Sequence, residues 1–373
     1  MGGWSRGFAC GVAITASLLA SRAGARPRGY TERTFTTKDG LAQSLVTALV
    51  QDTHGYLWVG TQNGLDRFDG VAFRRFGSDD GLASDVVQNL LVDHEGRVWV
   101  GGSGTLAVLE GERFVAIELP AAMREHVVRA IFDDGKAVYV GAVGTVARVT
   151  GARAEALPLP PLGIVNKIAR DADGSLLIGH SKGLLRLRPD AHDEAAPVEG
   201  VVAALALRVA PDRAVWIGIN GGLSVRANGA TTRIDSPDAS APLRGIQDIV
   251  LDPDGSTMWI ASANGVWRVG ADHVPHRIAK TDGPVANIVI DREGDLWFDA
   301  PGGLYELAPA KIDAVTKDDG LPNENVFPVV VARDGSTWVG TSAGVAHIEG
   351  GRVTAYGTAE GVGAPLVISM AED

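Results

Sequence analysis

The sequence predicts an all-β chain, a β-propeller of four-stranded blades, on three observations. One phrase recurs eight times between Asp52 and Ile348 with a mean pitch of 40 residues. Each pitch divides into short apolar runs separated by turn-forming residues, with no helical period of comparable length. Glycine is abundant, at 48 of 373 residues, while 45% of the chain is apolar. The glycines therefore punctuate a packed structure and do not dilute a disordered one.

The clearest copy of the phrase is Asp52-Thr53-His54-Gly55-Tyr56-Leu57-Trp58-Val59-Gly60-Thr61-Gln62-Asn63-Gly64-Leu65. Residues 45–51 before it form an apolar run rich in β-branched residues, the signature of a first strand. Asp52 to Gly55 is a turn, in which the carboxylate accepts N–H groups and glycine takes positive φ. Residues 56–61 form a second strand, 62–64 a second turn, and 65–68 and 71–76 two more strands joined at Asp69-Gly70. The first two strands are apolar at successive positions, so both of their faces are expected to be buried. A small sheet covered on both faces and repeated at this pitch is a propeller blade. Gly60 beside Trp58 has a mechanical reason, since a residue without a side chain lets neighbouring blades interdigitate.

The eight copies centre on Trp58, Trp99, Tyr139, Leu177, Trp216, Trp259, Trp297 and Trp338. The propeller is expected over residues 29–357. Before the first copy, residues 32–36 read as a lone outer strand. After the eighth, residues 358–373 read as the start of an incomplete further blade, because 367–373 align with 46–52. Seven blades with an extra partial blade is the favoured count, and closure as eight is the alternative.

Residues 1–25 read as an export signal. Arg6 precedes a mostly apolar run over 8–20, and Ala23-Gly24-Ala25 places cleavage after Ala25. The run is shorter than the ~20 residues needed to span a bilayer. Cleavage removes Cys10, the single cysteine, so the mature domain is expected to be free of disulfides and of cysteine metal sites. A periplasmic or secreted location follows. No later stretch is apolar enough to span a membrane, and the net charge of −11 argues against nucleic acid as a partner.

Asp-Gly-Leu at 39–41, 80–82 and 319–321, followed by an apolar strand, Asp-x-x-Gly, Leu-Trp-Val-Gly-Thr and Gly-Leu, resembles the two-component regulator propeller repeat. The resemblance is strict in copies one, two and eight and loose in copies three to seven. It implies a periplasmic sensory module, with two successive seven-bladed propellers, a β-sandwich, a membrane span and a cytoplasmic histidine kinase or diguanylate cyclase. This sequence carries eight copies and none of the later parts. Its output would depend on a membrane-bound signalling partner, and the chain reads as a truncated or split sensor.

No catalytic constellation emerges. The eight histidines lack zinc-ligand spacing. The turns starting at Asp171 and Asp252 open like calcium loops but hold Lys182 and Ala263 where the closing glutamate belongs. Gly-x-Ser-x-Gly occurs at 179–183 and 340–344, inside the second turn of the repeat and without the strand-to-helix context of a nucleophile elbow. No metal, cofactor or catalytic residue is assigned.

Binding is expected on the face where the loops entering the first strands gather with the turns between second and third strands. Its polar, least repetitive residues are Gln43, Ser44, Gln62, Asn63, Ser84, Asp85, Ser181, Lys182, Asn220, Asn264, Asn323, Glu324 and Asn325. Amides and hydroxyls suit a polar small molecule or oligosaccharide. The leading expectation is therefore a non-enzymatic ligand-sensing module. A protein-interaction scaffold is the alternative, followed by a propeller lyase or lactonase.

Overall fold

The computed structural model describes residues 29–189, 194–310, 315–350 and 352–372. The export signal expected over residues 1–25 lies outside the described residues. Eight antiparallel sheets of four strands each make up the fold, linked by turns and a few single-turn 3-10 segments. This is the all-β propeller architecture expected from the repeats. By its contacts the chain divides into Met1–Pro309 and Ala310–Asp373.

The first unit holds seven sheets. Its first blade runs Val46–Gln51, Leu57–Thr61, Gly64–Phe68 and Phe73–Phe76, ordered from inner to outer strand. Each inner strand neighbours the inner strand of the next blade, and that of the seventh, Ile288–Ile290, neighbours that of the first. The seventh sheet borrows its outer strand from the other end of the unit. Tyr30–Phe35 pairs antiparallel with Gly303–Pro309, from Tyr30 opposite Pro309 to Phe35 opposite Leu304. The lone strand read near residue 32 thus has its partner some 270 positions along the chain. Phe35, Leu41, Val46 and Leu57 share one core with Trp297 and Leu304, which removes a free sheet edge at this seam.

Two devices repeat from blade to blade. At Asp52, Oδ1 accepts the N–H groups of His54 (2.8 Å) and Tyr56 (3.1 Å), while Oδ2 accepts the indole N–H of Trp58 at 2.7 Å. The indole bond recurs between Trp99 and Asp93 (2.8 Å), Trp259 and Asp252 (2.8 Å), and Trp297 and Asp291 (2.7 Å). One carboxylate therefore both builds the turn and satisfies a buried donor. The second device is the glycine after the tryptophan. A Cβ on Gly60 would lie 2.5 Å from Val87 Cγ1 of the next blade, and one on Gly218 2.4 Å from Ile246 Cγ2. Close approach of blades requires the missing side chain.

The second unit holds one sheet, Val326–Val331, Thr337–Thr341, Gly344–Glu349 and Arg352–Tyr356. Residues 365–372 carry no assigned strand, yet Val367 N–H donates to the Thr341 carbonyl at 3.0 Å. The same bond docks the following inner strand at five seams of the first unit, as Val128 on Gly102 and Val165 on Ala142. The terminal segment occupies the place of a next inner strand against this sheet.

Candidate ligand-binding cavity

The site grows from one register position. Every inner strand of the first unit is led by a small or branched apolar residue, Val46, Val87, Val128, Val165, Ala204, Ile246 and Val285 in turn, and all are buried between blades. The residue after each faces the axis. Thr47, Gln88, Arg129, Asn166, Leu205, Gln247 and Ala286 all line one cavity of about 660 Å³. That volume falls in the range of small-molecule sites. In three blades a bulge produces this orientation, because the register slips between Val46 and Ala48, Val87 and Asn89, and Val165 and Lys167. The skipped residue has no ladder partner, and a bulge re-aims its side chain.

Some of the lining is held in place and some is free. Thr47 Oγ1 donates to the Val87 carbonyl at 2.5 Å, Asn89 Nδ2 to Arg129 O at 2.8 Å and Asn166 Nδ2 to Ala204 O at 3.0 Å. Each bond ties one inner strand to the next and leaves acceptor capacity on the amide oxygens. Lys167 Nζ lies 2.8 Å from Asp248 Oδ1, joining the fourth and sixth inner strands. The carboxamides of Gln88 and Gln247 carry no hydrogen bond to other described residues, so they are available to a ligand.

The seventh blade adds a buried carboxylate. Asp299 stands where the other blades of the unit have Gly60, Gly101, Gly141, Gly179, Gly218 and Ala261. It is 6% exposed and lines the cavity. Oδ1 accepts the N–H groups of Ala286 (3.0 Å) and Asn287 (2.6 Å) and lies 3.4 Å from Asn287 Nδ2. Burial pushes its pKa up to about 6, with the N–H bonds from Asn287 and Ala286 opposing.

Of the residues expected at the site, Ser44 and Gln62 line the cavity. Gln43 is half-buried beside it in sequence, and its Oε1 is buried without a hydrogen-bond partner. The rest are placed elsewhere or are engaged locally. Asn63 N–H caps Thr61 Oγ1, Ser84 Oγ accepts from Val86 N–H, and the Asp85 carbonyl accepts from Gly64. Ser181 Oγ accepts from Ile164 N–H, and Lys182 N–H donates to His180 Nδ1. Asn264 is consumed by Pro242 O, Ser262 Oγ and the Trp267 indole. Asn220 lines a separate hollow of about 530 Å³ with Arg233, Asp235 and Arg244. Asn323, Glu324 and Asn325 belong to the second unit, where Asn323 Oδ1 accepts from Asn325 N–H.

The inner-strand residues Gln88, Arg129, Asn166 and Gln247, and Asp299, were outside that expectation. Their signal in the sequence is variability at one position beside an invariably apolar one, and a carboxylate in a glycine slot. Among the described residues no group of three or more His, Cys, Asp or Glu is placed to hold a metal ion.

The pattern of the two-component regulator propeller matches residues 40–63 and 81–104. These are the Asp-Gly-Leu to Trp-x-Gly segments of the first two repeats. Over 61 residues the chain is 44% identical to histidine kinase P4 of Formosa agariphila, covering 16% of this chain and 4% of that protein. The fold is similar to the extracellular domain of a protein described as a hybrid two-component system of B. thetaiotaomicron, with a TM-score of 0.70 and 20% identity. That match covers 88% of this chain and 49% of the other. It is also similar to a catalytically inactive virginiamycin B lyase from Staphylococcus aureus with quinupristin. There the TM-score is 0.62 and the identity 15%, over 75% of this chain and 98% of the lyase. This chain spans about half the length of the sensor domain it matches and, among the described residues, has no helix long and apolar enough to cross a membrane.

Proposed function

We propose that this chain is an exported, non-enzymatic sensing propeller of the two-component regulator type. It binds a neutral polar solute of the oligosaccharide class in the axial cavity and passes the signal to a membrane-bound partner. Export follows from cleavage after Ala25. The regulator-type repeats at 40–63 and 81–104 support the sensory role.

One observation carries the binding reading. The positions that pack blades together repeat, whereas the position facing the axis is threonine, glutamine, arginine, asparagine, leucine, glutamine and alanine in successive blades. A structural role would repeat with the blade; recognition of an asymmetric solute requires difference. The unengaged carboxamides of Gln88 and Gln247 and the guanidinium of Arg129 supply donors and acceptors to such a solute.

Calorimetry of the mature chain against a panel of mono- and disaccharides tests this. Binding without turnover is expected, and Gln88→Ala and Gln247→Ala are each expected to weaken it about tenfold, while Asn220→Ala has no effect. Binding insensitive to both cavity variants, or turnover of a bound sugar, contradicts the proposal.

A further inference from the structure

Asp299 is unlike every other residue at its register position. In the third, fifth and sixth blades, the axis-facing residue donates its N–H to the carbonyl of this position. The distances are 3.0 Å for Arg129 to Gly141, 2.8 Å for Leu205 to Gly218 and 2.9 Å for Gln247 to Ala261. In the seventh blade Ala286 N–H turns instead to the Asp299 side chain, and Asn287 N–H follows it. The ladder is loosened there. Asp299 N–H reaches Asn287 O only at 3.4 Å, and the inner strand is reduced to the three residues Ile288–Ile290. The carboxylate thus opens its own sheet at the rim of the cavity.

Both backbone donors go to Oδ1. Oδ2 has no partner among the described residues, nor is it among the side-chain atoms sealed from solvent without one. The contrast with Asp52 is direct, since there turn and indole use both oxygens. A carboxylate that only closed a turn would not need to stand on the wall of the cavity that Ser44, Thr47 and Gln62 also line.

We propose that Asp299 is the proton-sensitive anchor of the cavity: its ionised Oδ2 accepts a hydroxyl hydrogen of a bound neutral polyol, and protonation of the carboxyl weakens that complex. The inference rests on the cavity being the ligand site. A neutral polyol fits better than a cationic ligand, because the cavity's remaining charges are Arg129 and the Lys167 ammonium, the latter held by Asp248.

Few charged groups face Asp299 from the packed elements. The first inner strand, Val46–Gln51, and its own inner strand, Ile288–Ile290, contain none. Asp291 beyond the latter is engaged by the Trp297 indole. The third strand brings Glu306, which lies 3.1 Å from Arg33 of the outer strand. Burial is accordingly the main cause of its raised pKa, which puts proton uptake in the mildly acidic range.

The test is calorimetry with glucose, maltose, cellobiose and chitobiose at pH 7.5 and pH 5.0, on the mature chain and on Asp299→Asn and Asp299→Gly. The glycine variant restores the residue of five other blades, and thermal unfolding checks that each variant is folded. The expected result is sugar binding that weakens about tenfold at pH 5.0, and weak, pH-independent binding in both variants. Binding that is independent of pH and equal in all three proteins overturns the anchor and leaves the cavity as a ligand site. Absence of binding in every protein at both pH values overturns the carbohydrate reading, and this inference with it.

Discussion

In the first blade Trp58 donates to Asp52, and Gly60 lets Val87 of the next blade press against the strand. In the seventh blade Trp297 donates to Asp291 in the same way, but Asp299 takes the glycine position and the outer strand comes from Tyr30–Phe35. The first blade is contiguous in sequence and sealed. The seventh is assembled from both ends of its unit and holds a charge-bearing group on the cavity wall. The repeated features account for a packed sheet, and the departures from the repeat mark where packing has been surrendered to something else.

Removing the borrowed strand should break this arrangement most severely. Deletion of Tyr30–Phe35 exposes the edge of Gly303–Pro309, uncovers the core around Phe35 and strips Glu306 of Arg33. The expected loss is on the order of 5 kcal/mol, comparable to the whole stability of a typical domain. Thermal unfolding followed by circular dichroism should then show a broad, early transition in place of a cooperative one.

Transplanting the seventh blade's acid into the first should come next. In Gly60→Asp the new Cβ alone meets Val87 Cγ1 at 2.5 Å and Ala48 Cβ at 3.2 Å, and no opened ladder receives the carboxylate. Overpacking and an unpaired buried charge together should cost roughly 3–5 kcal/mol, read from the denaturant midpoint. Tolerance of this substitution would show that the two seams are interchangeable.

The reverse change is smaller and of opposite sign. Asp299 has a folded pKa raised from 3.8 to about 6, so the native state holds a proton that the unfolded chain has already released. Stability from this group is full below pH ~4, falls as pH rises towards 6 and is level above it. Asp299→Asn should therefore stabilise the protein by roughly 2–3 kcal/mol at pH 7.5 and very little at pH 4. Denaturant titrations at the two pH values check this.

Much of the fold was legible because its determinants are local. Each tryptophan-centred phrase became a second strand, Leu57–Thr61, Val98–Gly102 and Val215–Ile219 among them. The turn role of Asp52 was also readable from Asp-x-x-Gly. Its bond to the Trp58 indole was not, because that needs the turn to bring residues six apart onto one side. The partner of Tyr30–Phe35 was hidden for a related reason: strand pairing across a whole unit leaves no mark on local pattern.

The site was less legible than the fold. Ser44 and Gln62 lie where the loops converge, but most polar lining comes from strand residues re-aimed by bulges or register, such as Gln88 and Asn166. An apolar run with one polar residue reads as a buried strand until its register is known. Asp299 could have been noticed by aligning the repeats, although its meaning depends on which oxygen the backbone occupies.

The seventh blade holds a cavity-facing carboxyl in an environment that no other blade of the first unit reproduces. Side-chain carboxyl ¹³C NMR of the mature chain, titrated from pH 3 to pH 8 with Asp299→Asn to assign the resonance, tests it most directly. A titration midpoint near 6 is expected for Asp299. A midpoint near 4, the value of an ordinary solvated aspartate, would contradict it.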